Sequence, residues 1–420
     1  MGTAALNLDL DGIQGLVSRG YREQPSACFV LLGMGDEAGR WVRDVEVTSA
    51  AARPTGDAVN LALTATGLAK LGAPLGGFPA EFVQGMVTPH RSRLLGDEGD
   101  GAPAGWAWGG PSTPTVDAGL LLYARDDASL AALYEAHRRR WTEHGLVEVG
   151  KLDTTDLDGF EPFGFRDGVS QPVIEGLSKT GPAWNTVRAG EFVLGYPNEY
   201  GLYTGGKAFS HGVGRNGSYL VIRQLAQDVA GFRRFLEQAT SDPAEQTRLA
   251  AKMVGRWPSG APLALSPNED DPALADANDF GYFDEDPYGF KCPIGAHVRR
   301  ANPRDSLDPQ PGSASSIAVG KRHRLLRRGR EYEHGLHFLC LNANISRQFE
   351  FIQHTWINNP HFAGLHDEPD PLVSPSAGAA FRIPAEPVRR RVTGLPRFVT
   401  VRGGGYFFLP GVRALRSFGA

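Results

Sequence analysis

The sequence predicts an α+β protein built as two sandwiches, each a mostly antiparallel sheet with helices packed on one face. Three observations carry that expectation. Short apolar runs of strand length alternate with amphipathic stretches of helix length. The same strand–helix–strand plan occurs once in each half of the chain. With 420 residues, 41% of them hydrophobic, the chain buries enough apolar surface for two cores rather than one. We place the division at residue 160, giving domains over 1–160 and 161–420.

Taken in order, the first strand is Ala27 to Leu32 (ACFVLL), followed by a helical segment from Asp36 to Val45 with Trp41, Val42 and Val45 on one side. Ala58 to Leu63 is the second strand. Residues 97–114, rich in Gly, Pro and Asp, read as a long surface loop. Gly119 to Tyr123 (GLLLY) is the third strand, and Asp126-Asp127 starts a helix that places Leu130, Leu133, Tyr134 and His137 on one face. His137 is thereby a packing residue. Leu146 to Val149 closes the first half as a strand.

The second half repeats the plan. Ser218 to Arg223 (SYLVIR) is a strand, and Asp228 opens a helix that turns Val229, Phe232, Phe235 and Leu236 inward. Leu336 to Leu341 (LHFLCL) is a strand, followed by a helix from Ile345 to Trp356 with Phe349, Ile352 and Trp356 on one stripe. Phe398 to Arg402 and Tyr406 to Leu409 flank Gly403-Gly404-Gly405 and read as a terminal hairpin. Insertions over 176–216, 255–290 and 305–320 are long enough to suggest function.

Composition excludes several classes. A net charge of -4 and a pI near 6.3 argue against nucleic-acid or membrane-surface binding. Cys28, Cys292 and Cys340 are far apart with no CxxC spacing, which fits a reducing compartment and excludes a cysteine zinc site. The first residues, MGTAALNLDLDGIQG, lack the basic flank and apolar core of a secretion signal, so a cytoplasmic protein is expected. No run reaches the ~20 apolar residues that span a bilayer. No HExxH or paired-histidine spacing suggests a metallohydrolase.

Three motifs bear chemistry. In Gly295-Ala296-His297-Val298-Arg299-Arg300-Ala301-Asn302-Pro303-Arg304-Asp305, one histidine precedes three arginines within seven positions. An imidazole can bind a metal through one nitrogen while the other donates a hydrogen bond. Arginine forks suit carboxylates, and an iron porphyrin with two propionates asks for both. The plainer alternative is a core histidine among solvated arginines. In Gly164-Phe165-Arg166-Asp167-Gly168, flanking glycines allow a tight turn that points one carboxylate inward, although Asp-Gly is also an ordinary turn. Leu326-Arg327-Arg328-Gly329 precedes Tyr332 and the strand at Leu336.

In this order, these segments resemble the dye-decolourising peroxidases, a family of haem peroxidases. The resemblance rests on GFRDG at 164–168, GAHVRRANPRD at 295–305, LRRG at 326–329 and LHFLCLNANISRQFEFIQ at 336–353. It extends through GSYLVIRQLAQDVAGF at 217–232, VGRWPSGAPL at 254–263 and FVTVRGGGYFFLPG at 398–411. It implies a pair of ferredoxin-like domains of the dimeric α+β barrel type, with haem b in the second. His297 then resembles the proximal iron ligand, Asp167 the distal carboxylate and Arg327 the distal arginine, with Arg328 as the neighbour that competes for that role. Arg304 is similar to a propionate-binding arginine, and Leu336 and Phe338 to the apolar wall over the distal face. Asp370, in Glu368-Pro369-Asp370-Pro371-Leu372, is the candidate partner of His297, although an Asp before Pro is ordinarily a turn. The stretch from Arg327 to Leu336 is shorter than in longer relatives, which bears on distal access.

The resemblance implies hydrogen peroxide and a small aromatic reductant as partners. A carboxylate moves a proton between peroxide oxygens at mildly acidic pH, and a permanent cation stabilises the oxygen that leaves. Tyr332 and Trp356 are candidates for relaying electrons to dyes too large for the pocket, against their ordinary use in packing. Two other functions compete: a haem carrier or iron-removing protein, which needs His297 and Arg304 but not Asp167 with Arg327, and a cofactor-free interaction protein. The sequence leaves open whether the chain forms a homo-oligomer.

Overall fold

The computed structural model describes residues 7–155, 159–177, 181–374 and 378–418. The start of the N-terminal segment, and residues 178–180 of the first long insertion, lie outside them. The N-terminal half contributes strands β1 (Ser26–Gly33), β2 (Ala58–Leu63), β3 (Ala118–Ala124) and β4 (Val147–Asp153). The C-terminal half contributes β5 (Ser218–Gln227), β6 (Leu326–Arg327), β7 (Arg330–Tyr332), β8 (Gly335–Asn342) and β9 (Val399–Leu409). All nine join one sheet in the order β4-β1-β3-β2-β9-β5-β8-β6, with β7 paired to β8. Every pairing in this sheet is antiparallel. The two halves are two ferredoxin-like units whose sheets meet where β9 runs beside β2, with Phe408 opposite Leu63.

The strands are apolar at successive positions because both faces of the sheet are covered. On one face Val30, Leu32, Leu61, Leu120 and Phe408 pack against Trp41 and Trp141, which come from helices α1 (Ala38–Asp44) and α2 (Asp127–Glu143). Asp126 caps α2 by accepting from the Ser129 N–H, and His137 is buried in its inward stripe. The other face buries Phe29, Leu31, Leu121, Ile222, Leu339 and Phe407 under the loop segment of Phe192, Val193 and Tyr196. Part of the long insertion over 176–216 is therefore a lid on the sheet. In the C-terminal half, α3 (Val229–Ala239) and α4 (Pro243–Val254) pair over Phe232, Phe235, Leu249 and Met253.

Two sequence expectations fail. The terminal hairpin does not form: Val399–Leu409 is one continuous strand with a bulge between Val401 and Gly403. Its glycines serve close approach instead of a turn. A Cβ at Gly403 would overlap the Trp108 indole, and one at Gly404 would lie 2.8 Å from Met86 Sδ. The helix after β8 does exist, but it winds as π-helix over Ser346–Glu350 and Ile352–Ile357, with Glu350 N–H bonded to Ile345 O and Asn358 N–H to Gln353 O. The wider winding splits the expected stripe. Phe349 joins the core of the large sheet, whereas Ile352 and Trp356 join a separate cluster with Phe362.

Candidate active site

The GFRDG loop is shaped by a carboxylate that the sequence reading passed over. Glu161 accepts hydrogen bonds from the Phe163 and Phe165 N–H groups at 3.1 and 3.0 Å and from Gln227 Nε2 at 3.0 Å. Burial pushes its pKa above the usual carboxylate range, partly countered by those donors. Gly164 and Gly168 take φ of 95° and 76°, which a side chain would resist. Asp167 N–H is tied to Gly159 O at 2.9 Å and Arg166 N–H to Pro258 O at 3.1 Å. The Asp167 carboxylate itself stays 43% exposed, with Arg327 Nη2 at 3.9 Å as its charged neighbour.

Arg327 reaches that position from β6. Gln171 grips its backbone on both sides, accepting from Arg327 N–H at 3.1 Å and donating to Arg327 O at 3.2 Å. Its neighbour Arg328 turns the other way: it donates to Leu16 O, Val17 O and Arg327 O. The structure thus separates two adjacent arginines that the sequence leaves similar. On β8, beside β6, Leu336 and Phe338 share a half-buried face, while His337 between them is buried on the other. The short link from Arg327 to Leu336 is a tight hairpin, with Tyr332 opposite Gly335. Tyr332 stacks on the His337 ring at 4.5 Å.

His297 opens a five-residue helix, His297–Ala301. Its Nδ1 lies 2.9 Å from Asp370 Oδ2, and Asp370 is buried, its other oxygen accepting from the Leu372 and Val373 N–H groups at 2.9 and 3.0 Å. Burial opposes a charged imidazole, but the charge and hydrogen bond of Asp370 outweigh it and raise the His297 pKa. The same pairing, with Arg300 nearby, holds the Asp370 pKa below its ordinary value despite burial. A third of the His297 side chain is exposed, and Nε2 has no hydrogen-bond partner among the described residues.

The arginines after His297 divide by role. Arg299 is spent on Asp286 and Cys292 O, and Arg300 on the carbonyls of Gly295, Trp356, Asn359 and Glu368. Both are internal clamps, because their forks are filled by protein groups. Arg304 also holds protein groups, donating to Asn278 O and Phe280 O at 2.9 Å and to Asn278 Oδ1 at 2.6 Å, with its plane 3.8 Å over Phe280. It nevertheless lines a cavity of about 270 Å³ with Arg324, Lys321, Trp184 and Ile317. Arg324 is a residue the sequence reading missed. It is buried, bonded to Asn185 Oδ1 and Ser170 O, and its pKa falls to about 9 through burial and the neighbouring charges of Arg304 and Arg327. Neither Arg304 nor Arg324 has a carboxylate partner among the described residues. In the run RHRLLRRGR nothing marks which cation turns inward.

These groups fit a haem by their own chemistry. One free imidazole nitrogen backed by a carboxylate suits an iron already held in a macrocycle. Buried guanidiniums short of carboxylates suit propionates. Among the described residues no three His, Cys, Asp or Glu side chains cluster to hold a bare cation.

An imidazole backed by a carboxylate, together with an arginine–carboxylate pair on a double α+β scaffold, is a combination that a peroxidase could use. Comparison with known proteins gives the family. No family model matches the chain. It is 31% identical to a dye-decolorizing peroxidase of Exidia glandulosa and 32% identical to one of Mycena epipterygia, each alignment covering 98% of this chain and 87% of the relative. It is 30% identical to a multifunctional dye peroxidase of an Amycolatopsis species, over 92% of this chain and 88% of that one. The structure superposes with a TM-score of 0.82 on a fungal DyP-type peroxidase from Auricularia auricula-judae, at 25% identity, covering 98% and 99% of the two chains. It does so equally on an ancestral D-type dye decolorizing peroxidase, at 25% identity, covering 99% and 100%. The chain belongs to the dye-decolourising peroxidase family: it is a peroxidase, an oxidoreductase with peroxide as acceptor.

Proposed function

We propose that this chain binds haem b between His297 and Asp167 and reduces hydrogen peroxide at the expense of dyes, phenols and other small aromatic one-electron donors. His297 Nε2 would hold the iron, with Asp370 orienting the ring through Nδ1. Leu336 and Phe338 would supply an apolar wall beside Asp167 and Arg327, and Arg304 with Arg324 would receive the propionates. When bound, haem would supply the redox chemistry that couples a two-electron reduction of peroxide to one-electron donors.

The chain's own residues handle protons and charge. The Asp167 carboxylate takes a proton from one peroxide oxygen and returns it to the other, which leaves as water. Arg327, always protonated, stabilises the negative charge on the departing oxygen. The balance is one peroxide and two donors, each losing a hydrogen atom, to two waters and two donor radicals. The residues in these roles all follow residue 160, in line with a haem-binding unit over 161–420. Among the described residues no helix is long and apolar enough to cross a membrane. The three cysteines are unpaired and buried, and on that ground we place the protein in the cytoplasm.

The observation that carries this reading is the separation of Arg327 from Arg328, which sets one cation 3.9 Å from the only free carboxylate of the GFRDG loop. The test is haem binding followed by stopped-flow mixing with peroxide. A Soret band that changes rapidly in the wild type and slowly in Asp167→Asn supports it. A Soret band with no peroxide response would instead favour the haem carrier, and no Soret band would remove both.

A further inference from the structure

One short segment joins Arg327 to the two arginines assigned to the propionates. Ser170 and Gln171 follow closely on Asp167 in the chain. Pro172 is buried behind them, and Val173–Ile174 then pairs in parallel with Thr186–Val187. The Val173 N–H bonds to Asn185 O at 3.2 Å, which sets Asn185 beside the segment. The Gln171 amide spends both its ends on the Arg327 backbone, so it holds the base from which that guanidinium extends.

The other side of the segment is tethered to Arg324. Its Nη2 donates to Ser170 O at 3.3 Å, and its Nη1 to Asn185 Oδ1 at 2.7 Å. The Asn185 amide in turn donates to Gln171 O at 3.4 Å. Arg304 joins through Asn278, whose Oδ1 accepts from Arg304 Nη2 at 2.6 Å and from Ser170 Oγ at 3.1 Å. Both carbonyls of the segment are thus tied to one buried guanidinium that has no carboxylate partner among the described residues. The charge of Arg327 is one cause of the lowered Arg324 pKa, so the two cations repel across the segment. An anion seated on Arg324 relieves that repulsion and strengthens the bonds in series with it.

We propose, resting on the peroxidase reading, that Gln171 is the positioning residue of Arg327 and that Arg324, through Ser170 and Asn185, lets a haem propionate tighten its grip. The consequence is an order of assembly. Arg327 is fully placed beside Asp167 only once a carboxylate occupies Arg324, so a protein without its cofactor holds that cation loosely.

In the experiment, the full chain is loaded with haem b or with its dimethyl ester, in which both carboxylates are capped, and titrated with fluoride at one pH. Fluoride on ferric iron accepts a hydrogen bond from a nearby guanidinium, so its affinity, read at the Soret band, reports the placement of Arg327 without turnover. Capping should weaken fluoride about 10-fold in the wild type, the loss of one charge-assisted hydrogen bond. Gln171→Met keeps the side chain's length without its bonds, and should bind fluoride that weakly with either haem. In the haem-free protein, its Arg327 amide should exchange with deuterium at least about tenfold faster than in the wild type. Asn185→Ala keeps both Gln171 bonds and cuts one link to Arg324, so amide protection should hold while the capping effect shrinks to about threefold. Wild-type fluoride affinity in Gln171→Met overturns the proposal, as does an undiminished capping effect in either variant. Arg327→Leu tests the underlying reading separately. If it binds fluoride and reacts with peroxide as the wild type does, the role of Arg327 itself fails, whatever Gln171 does.

Discussion

His297 and Asp370, 73 residues apart, are joined by a 2.9 Å contact between Nδ1 and Oδ2. The carboxylate is held independently of the histidine, because two backbone N–H groups bond its second oxygen. Burial alone would favour a neutral acid there, yet the imidazole and Arg300 keep it ionised. In the neutral ring this contact selects the tautomer with the proton on Nδ1 and a lone pair on Nε2.

That relationship predicts graded losses. His297→Ala should abolish haem retention. Asp370→Asn keeps the side chain's size but removes the charge, and should weaken haem affinity about 10–100-fold, the usual cost of losing a partner behind a metal ligand. Titration of haem into the protein, followed at the Soret band, measures both. Equal affinity in Asp370→Asn would show that the contact is only structural.

The Asp167–Arg327 pair predicts a different pattern. Asp167→Asn should slow haem oxidation by peroxide by on the order of 10²–10⁴. Arg327→Leu should slow it by about 10²–10³. The double variant should fall short of the product, since both groups act on one bond cleavage. Arg328→Leu is the control that separates the neighbours. Its guanidinium serves the carbonyls of Leu16 and Val17, so stability should drop while the peroxide rate holds. If Arg328→Leu instead slows the peroxide step as much as Arg327→Leu, the assignment is reversed.

How far the sequence could be read follows from where each signal resides. Ala58–Leu63 was bounded correctly because all six residues are buried and the run ends where a capping threonine, Thr64, starts a helix. The segments holding His297, Asp167 and Arg327 were visible as glycine-flanked motifs, but the choice of these residues, including Arg327 over Arg328, came through family resemblance. Asp370 was reachable only through family resemblance, since nothing local distinguishes it from an Asp-Pro turn. Arg324 was hidden because a basic run does not reveal which cations face inward. The triple glycine misled because Trp108, whose indole occupies the space beside it, is remote in sequence.

That last contact makes its own prediction. Gly403→Ala places a methyl against the Trp108 indole, whose Nε1 donates to Gln224 Oε1 at 2.9 Å. Overpacking of this kind costs about 1–3 kcal/mol. Denaturant unfolding of Gly403→Ala should show that loss, whereas Gly56→Ala, at a position with nothing within 4 Å of the new methyl, should be near neutral. An unaffected Gly403→Ala would mean that the Trp108 indole gives way and that close approach does not select glycine there.

The final prediction concerns acid stability and His337. Its ring is 1% exposed, stacked on Tyr332 and edge-on to Phe29. Nε2 bonds to Asp153 O at 3.0 Å, which makes Nε2 the protonated nitrogen, and Nδ1 is buried with no partner. Charging the ring would bury an unmatched N–H, so burial lowers its pKa to about 4, against some opposition from the Asp153 carbonyl and charge. In the unfolded chain the same ring titrates near 6.5. Between these values the unfolded state binds the proton and the folded state does not, so stability rises with pH and is lost as pH falls below about 6.5. From pH 7 to pH 5 this group alone removes about 2 kcal/mol. Urea unfolding of His337→Phe at both pH values should show a smaller acid loss than the wild type, by roughly that amount, even if the variant is less stable at pH 7. Parallel losses in the two proteins would mean that His337 takes up its proton inside the folded sheet, which would require a partner for Nδ1.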